Sequence, residues 1–113
     1  MHEVSIAENI LDIVLKAAEE NGMRSITKVA LKVGSLTAIM PESLEFAFRA
    51  VSKNSLAEDA ELAMEMVQAK AQCDDCRTIF EMDYFNKLCP DCARFCSNVI
   101  SGYEFYVNTI EGE

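Results

Sequence analysis

The sequence predicts an α+β fold, two helices and a three-stranded sheet interrupted by a small inserted Cys₄ zinc module, and three observations predict it. Apolar residues recur with helical spacing near residues 6–17 and 44–51. They alternate with period two near 26–33, 62–67 and 103–108, as half-buried strands do. Between the last two alternating runs stand two Cys-x-x-Cys pairs, Cys73/Cys76 and Cys89/Cys92, separated by twelve residues. A chain of 113 residues is long enough for one ordinary domain, or for a small domain carrying a metal-held insert. The second arrangement gives an α/β domain of residues 1–68 and 101–113 and a zinc-binding domain of residues 69–100.

The elements follow in order. Ser5 with Glu8 three residues on reads as a capping box, which places the first helix start near Ile6. Ile6, Ile10, Val14 and Ala17 form its apolar stripe, Ile13 widens it, and Asn21-Gly22 ends it in a left-handed cap. In the first strand Val29, Leu31 and Val33 share one face and Lys28, Ala30 and Lys32 the other, and Gly34-Ser35 closes it. Pro41 followed by Glu42 opens the second helix, whose Leu44, Ala47, Phe48 and Val51 fall on one side; it stops near Asn54. Leu62, Met64 and Met66 alternate with Ala63, Glu65 and Val67 in the second strand. The methionine side is read as adaptable core filling and not as a soft-metal site. After Gly102, Tyr103, Phe105 and Val107 face one way and Glu104, Tyr106 and Asn108 the other, in a third strand. Two helices on one face of this sheet bury every apolar stripe.

The formal net charge of -9 weighs against a nucleic-acid partner. Phosphate binding needs clustered bases, and the cysteine stretch offers only Lys70, Arg77, Lys87 and Arg94 among several acids. An acidic chain suits a basic protein partner or a cation. No stretch reaches the roughly 18 apolar residues of a membrane span. The first apolar run is broken by Glu8, Asp12 and Lys16 and lacks a basic leader and a cleavage site, so Met1 is expected at the mature end and the protein in the cytoplasm.

Paired cysteines at short spacing, in a chain without secretory features, point to a metal and away from a disulfide framework. Four soft thiolates favour zinc, with a rubredoxin-like iron site as the alternative, and two disulfides or plain buried thiols as the readings without metal. A closed Cys₄ set leaves no position for a reacting water, so the Zn²⁺ is structural and the chain is not an enzyme. A thioredoxin-like thiol centre would need Cys-x-x-Cys at a helix start, and both pairs sit in turn-like surroundings. Cys96, the fifth cysteine, reads as a small buried thiol and not as a spare ligand. The stretch from Ala69 to Ile100 has too few large apolar side chains for a core of its own, which makes metal ligation a main source of its folding free energy.

His2 is the only histidine. With Met1 retained, the α-amine, the His2 amide nitrogen and the imidazole Nδ1 close two fused chelate rings around one ion. Three nitrogens in a plane suit Ni²⁺ or Cu²⁺ and not tetrahedral zinc. Glu3, by carboxylate or amide, or a donor from another molecule fills the fourth position.

Taken together, these residues resemble the HypA/HybF family of nickel metallochaperones. The resemblance rests on Met1-His2-Glu3, Val33-Gly34, Pro41-Glu42-Ser43-Leu44, Phe46-Ala47-Phe48, Ser55-Leu56-Ala57-Glu58, Cys89-Pro90-Asp91-Cys92, Gly102-Tyr103-Glu104 and Ile110-Glu111. It covers the whole chain, and the order and spacing of the motifs carry it. It implies a structural zinc held by Cys73, Cys76, Cys89 and Cys92, and Ni²⁺ as transient cargo on His2 with Met1 and Glu3 beside it. It also implies delivery of nickel to nickel-iron hydrogenase together with a HypB-type GTPase, the hydrogenase large-subunit precursor as recipient and, in some bacteria, urease maturation proteins as further partners. A homodimer by exchange of the inserted module fits the same organisation. The sequence departs from the family in having no histidine near either cysteine pair and in carrying Tyr106 and Asn108 where the last strand is often more basic. The alternative reading is a non-catalytic zinc-ribbon adaptor between proteins, with an inert chain start.

Overall fold

The structure, a computed structural model, describes residues 2–113; Met1 and the side chain of His2 lie outside the described residues. The elements are α1 (His2–Glu20), β1 (Ile26–Gly34), α2 (Pro41–Val51), β2 (Glu61–Val67), β3 (Lys70–Gln72), β4 (Ile79–Glu81), β5 (Val99–Ser101) and β6 (Phe105–Gly112). They form two three-stranded sheets, ordered β2-β1-β6 and β4-β3-β5. The first sheet holds the three strands expected from alternation, the last of them running Phe105–Gly112 instead of starting at Tyr103. No described helix is long and apolar enough to cross a membrane.

The chain packs as two compact units. One comprises residues 1–32, 39–65 and 106–113, the other residues 33–38 and 66–105.

In the first unit α1 packs against α2. The first helix starts at His2, four residues before the start expected from Ser5 and Glu8, so Ser5 lies inside the helix and is no cap. The buried stripe is Ala7, Ile10, Val14 and Ala18, with Ile6 and Ala17 half-buried. Ile13 is 56% exposed and does not widen the stripe, because one residue back from Val14 lies about 100° around the helix. The C-terminus is a Schellman cap. Gly22 takes φ 64°, its amide donates to the Glu19 carbonyl at 3.1 Å, and the Met23 amide donates to the Ala18 carbonyl at 2.9 Å.

The α2 helix opens as expected, with Pro41 in its first turn and Leu44, Ala47 and Phe48 buried. On β1, Ile26, Val29 and Leu31 are buried while Lys28, Ala30 and Lys32 are half-buried. Leu62 on β2 is buried, but Met66 is 49% exposed. Met64 between them is half-buried, so the expectation that the methionine side fills the core holds only in part.

The second unit carries its own sheet, β4-β3-β5, in a stretch where no strand was expected. Lys70, Ala71 and Gln72 pair antiparallel with Glu81, Phe80 and Ile79. On the other side Lys70 pairs with Ser101 and Ala71 with Val99, with a register shift between them. The core beneath is small: Leu36, Ala69, Ala71, Cys73, Phe80, Met82, Cys89 and Cys96, with Val99 against it. Only Leu36, Phe80 and Met82 there are large, in line with the expectation of a thin hydrophobic core.

Candidate metal centre

Each Cys-x-x-Cys pair forms the tip of a hairpin, and the two tips are built alike. In the first, the Cys73 amide donates to the Thr78 carbonyl at 2.9 Å and the Arg77 amide returns to the Cys73 carbonyl at 2.9 Å. In the second, the Cys89 amide donates to the Arg94 carbonyl at 2.9 Å and the Ala93 amide to the Cys89 carbonyl at 2.8 Å. The strand pairs continue outward from each tip, Gln72 with Ile79 and Leu88 with Phe95. Reversing the chain within this ring puts the residue after each second cysteine in the left-handed region, Arg77 at φ 66° and Ala93 at φ 62°. Neither is glycine, so each carries a left-handed cost of about 1–2 kcal/mol, part of which glycine would lose again to its own chain entropy. Ala93→Gly is expected to raise the stability of the metal-loaded protein by up to about 1 kcal/mol, read as a higher urea midpoint; an unchanged or lower midpoint contradicts it.

The two tips face each other. The four cysteine sulfurs lie within 4.8 Å of one another. Cys73 and Cys92 are 3.5 Å apart, Cys76 and Cys89 3.5 Å, and Cys76 and Cys92 3.9 Å. None of the five cysteines is in a disulfide, which would need sulfurs about 2 Å apart. A tetrahedral ion with metal–sulfur bonds of about 2.3 Å sets its sulfurs about 3.8 Å apart, so the donors and their spacing fit zinc. Cys73 and Cys89 are buried and Cys76 is exposed. Cys96 is buried at 3% exposure in the neighbouring core and stands outside the group of four.

Polar contacts cross between the tips. The Thr78 hydroxyl donates to Asp91 Oδ2 at 2.5 Å, and Arg94 Nε lies 3.3 Å from Asp75 Oδ2. Each tip thus supplies one donor and one acceptor. Sequence reasoning missed these four residues, although Thr78 and Arg94 hold the same place, five residues after Cys73 and Cys89.

The sulfurs lie close enough to shift one another. Backbone amides of Cys76 and then Asp75 hold Cys73 down to about 6, and Thr78 lowers Cys76, through its hydroxyl when that one proton turns to the sulfur instead of Asp91 and through its amide. At Cys92 the Arg94 amide pulls down, but Cys73, burial, Cys89 and Cys76 together push the thiol up to about 12. Burial, followed by Cys73, raises Cys96 to about 11. Protein groups alone therefore stabilise some of the thiolates at the expense of another. A divalent cation among them would offset the negative charge of the thiolates that bind it.

The other predicted site residues stand at the chain start. His2 opens α1 and Glu3 lies in its first turn, half-buried. Met1 and the His2 imidazole are outside the described residues.

A model of the family described as hydrogenase/urease nickel incorporation, metallochaperone, hypA, matches residues 1–112. The chain belongs to the HypA family. The hydrogenase maturation factor HypA of Chlorobium phaeobacteroides is 38% identical over 110 residues, which cover 97% of both chains. That of Moorella thermoacetica is 35% identical over 113 residues, the full length of both. The match to HypA of Archaeoglobus fulgidus is 46% identical but spans only 61 residues, 54% of this chain and 56% of that one. The fold is also that of HypA. The solution structure of the Ni metallochaperone HypA from Helicobacter pylori superposes with a TM-score of 0.67 over 97% of this chain and 96% of that one, at 24% identity. A second HypA solution structure gives 0.71 over 100% and 97%, also at 24%. HypA proteins are nickel metallochaperones of hydrogenase maturation.

Proposed function

We propose that this chain carries Ni²⁺ on its first three residues and delivers it during maturation of nickel-iron hydrogenase, while Cys73, Cys76, Cys89 and Cys92 hold a structural Zn²⁺. The match of the family model from residue 1 to residue 112 carries this reading, because it takes in both Met1-His2-Glu3 and the cysteine pairs. In this division residues 1–68 and 101–113 serve nickel and residues 69–100 zinc. Zinc, when bound, supplies cross-linking of the two hairpin tips and no reaction.

The start of α1 supports the nickel site. Amides in a first helical turn have no intrahelical acceptor, so the His2 and Glu3 amides are not committed to the helix ladder. The Glu3 carboxylate adds negative charge at the positive helix end, where a cation is otherwise disfavoured. The α-amine of Met1, the His2 amide nitrogen and the His2 imidazole then serve as donors, with Glu3 completing the set. A carrier has to release its ion, and few ligands at a chain end let go more readily than a cage. A HypB-type GTPase and the hydrogenase large-subunit precursor are the partners this work requires, urease maturation proteins are further candidates, a homodimer is compatible with it, and the cytoplasm is where it takes place.

Nickel titration of untagged, zinc-loaded protein tests the reading. One Ni²⁺ per chain is expected beyond the zinc, and His2→Ala abolishes it. Protons compete for the α-amine and the imidazole, both protonated as pH falls. Affinity should therefore drop roughly 50-fold or more between about pH 7.5 and about pH 6. Equal affinity at both pH values, or uptake by His2→Ala equal to wild type, would leave a zinc-ribbon adaptor as the better reading.

A further inference from the structure

Phe46 and Phe48 lie two residues apart on α2, about 200° around the helix, and only one of them finds the core. Phe48 is 1% exposed and Phe46 77% exposed. A phenyl ring held in water on a regular helix is an unpartnered apolar group, and its neighbours shape the space around it. Glu42, Phe46 and Ala50 follow at i, i+4 and i+8, with Ser43 and Ala47 beside them. The small Ala47 and Ala50 leave a groove of about 380 Å³ between Phe46 and the first turn of α1, where Glu3 and Val4 close it. Its floor and walls are apolar. The acidic side chains that line it are Glu3 and Glu42, each in the first turn of its helix.

We propose that this groove docks a segment of a basic partner protein, one that inserts a bulky apolar side chain beside Phe46 and sets Lys or Arg against Glu3 and Glu42. Charge selects this occupant. An anionic membrane or a nucleic acid would meet two carboxylates, and a second copy of the chain, at net charge -9, would bring acid against acid. A cationic segment gains from both, and aromatic anchors in small apolar pockets are where binding free energy concentrates. Because Glu3 borders the groove, the occupant would lie next to the proposed nickel ligands; Glu42 is the carboxylate that pairs with it whether or not Glu3 is engaged by nickel.

The test uses full-length untagged protein and two labelled helical peptides, each with one leucine face, flanked by lysines in one and by glutamates in the other. The lysine peptide is expected to bind saturably, to shift the amide resonances of Val4, Ser43, Ala47 and Ala50, and to bind about tenfold or more tightly than the glutamate peptide. Phe46→Ala and Glu42→Lys, both at exposed positions, should each weaken it about tenfold with unchanged circular dichroism. Nickel titration of the two variants should match wild type, which separates failure of the docking surface from failure of the nickel site. The proposal is overturned by equal binding of both peptides, by no binding, by unchanged affinity in Phe46→Ala, or by a wild-type dimer that Phe46→Ala dissociates, since that would make a second copy the occupant.

Discussion

A Cys73→Ser chain is expected to lose its metal and, with it, the fold of residues 66–105. Those residues with 33–38 pack around a core in which three of eight side chains are cysteines and two are alanines. Burial of Leu36, Phe80 and Met82 contributes about 1.5–3 kcal/mol each by usual measures, too little to offset ordering some forty residues. Binding of structural zinc by four cysteines is worth on the order of 10 kcal/mol, and because the assembled site does not pre-exist in the unfolded chain, that quantity is folding free energy. Serine is a far poorer ligand than thiolate, and Cys73 is buried, with its sulfur 3.5 Å from that of Cys92. Elemental analysis should give less than one zinc per chain, and amide resonances of 69–101 should collapse to unfolded positions. Cys96→Ser is the control, because Cys96 shares the same core without joining the group of four; it should keep its zinc. A Cys73→Ser protein with full zinc and native resonances would show that three sulfurs and hydrophobic burial suffice.

What the sequence made legible is what short-range chemistry encodes. Two Cys-x-x-Cys pairs announce a four-sulfur cluster through spacing alone, and Pro41 with Leu44, Ala47 and Phe48 announces α2. Three-residue strands such as β3, β4 and β5 are too short to show alternation, and β5 pairs with β3 from about thirty residues away, so the second sheet was invisible. Leu36 gave no sign of joining the cysteine core, because its partners lie more than thirty residues on. Ser5 misled because a capping box competes with simple continuation of the helix, and residues 2–4 join α1 instead. The exposure of Phe46 was likewise unreadable: a Phe-Ala-Phe run says that one ring faces the core, not what the other one faces.

The second large effect is expected at Gly34. Its backbone is not in the left-handed region; the glycines that are, among those described, are Gly22 and Gly102. Conformation alone therefore gives no reason for glycine here, and alanine looks tolerable from the sequence. The reason is proximity. The Gly34 amide donates to the Glu104 carbonyl at 2.6 Å, the Leu36 amide to the Gly102 carbonyl at 2.8 Å, and the Ser35 amide to the Val67 carbonyl at 2.9 Å. The segment is thus tied on both sides, and the Tyr84 hydroxyl donates to the Leu36 carbonyl beyond it. A β carbon on Gly34 would overlap the Gly102 carbonyl and stand 2.7 Å from the Tyr103 nitrogen, both backbone groups that cannot swing aside as a side chain does. At Gly22, by contrast, a β carbon would meet nothing within 4 Å. Gly34→Ala must push the 102–104 backbone away and weaken the two hydrogen bonds that join it to Gly34 and Leu36. Overpacking and the weakened bonds together should cost about 3 kcal/mol or more. Urea unfolding of zinc-loaded protein reads this directly, with a midpoint well below wild type. A loss under about 1 kcal/mol would mean that residues 33–38 and 102–104 are not in close backbone contact in solution, and the assignment of 33–38 to the cysteine unit would fall with it.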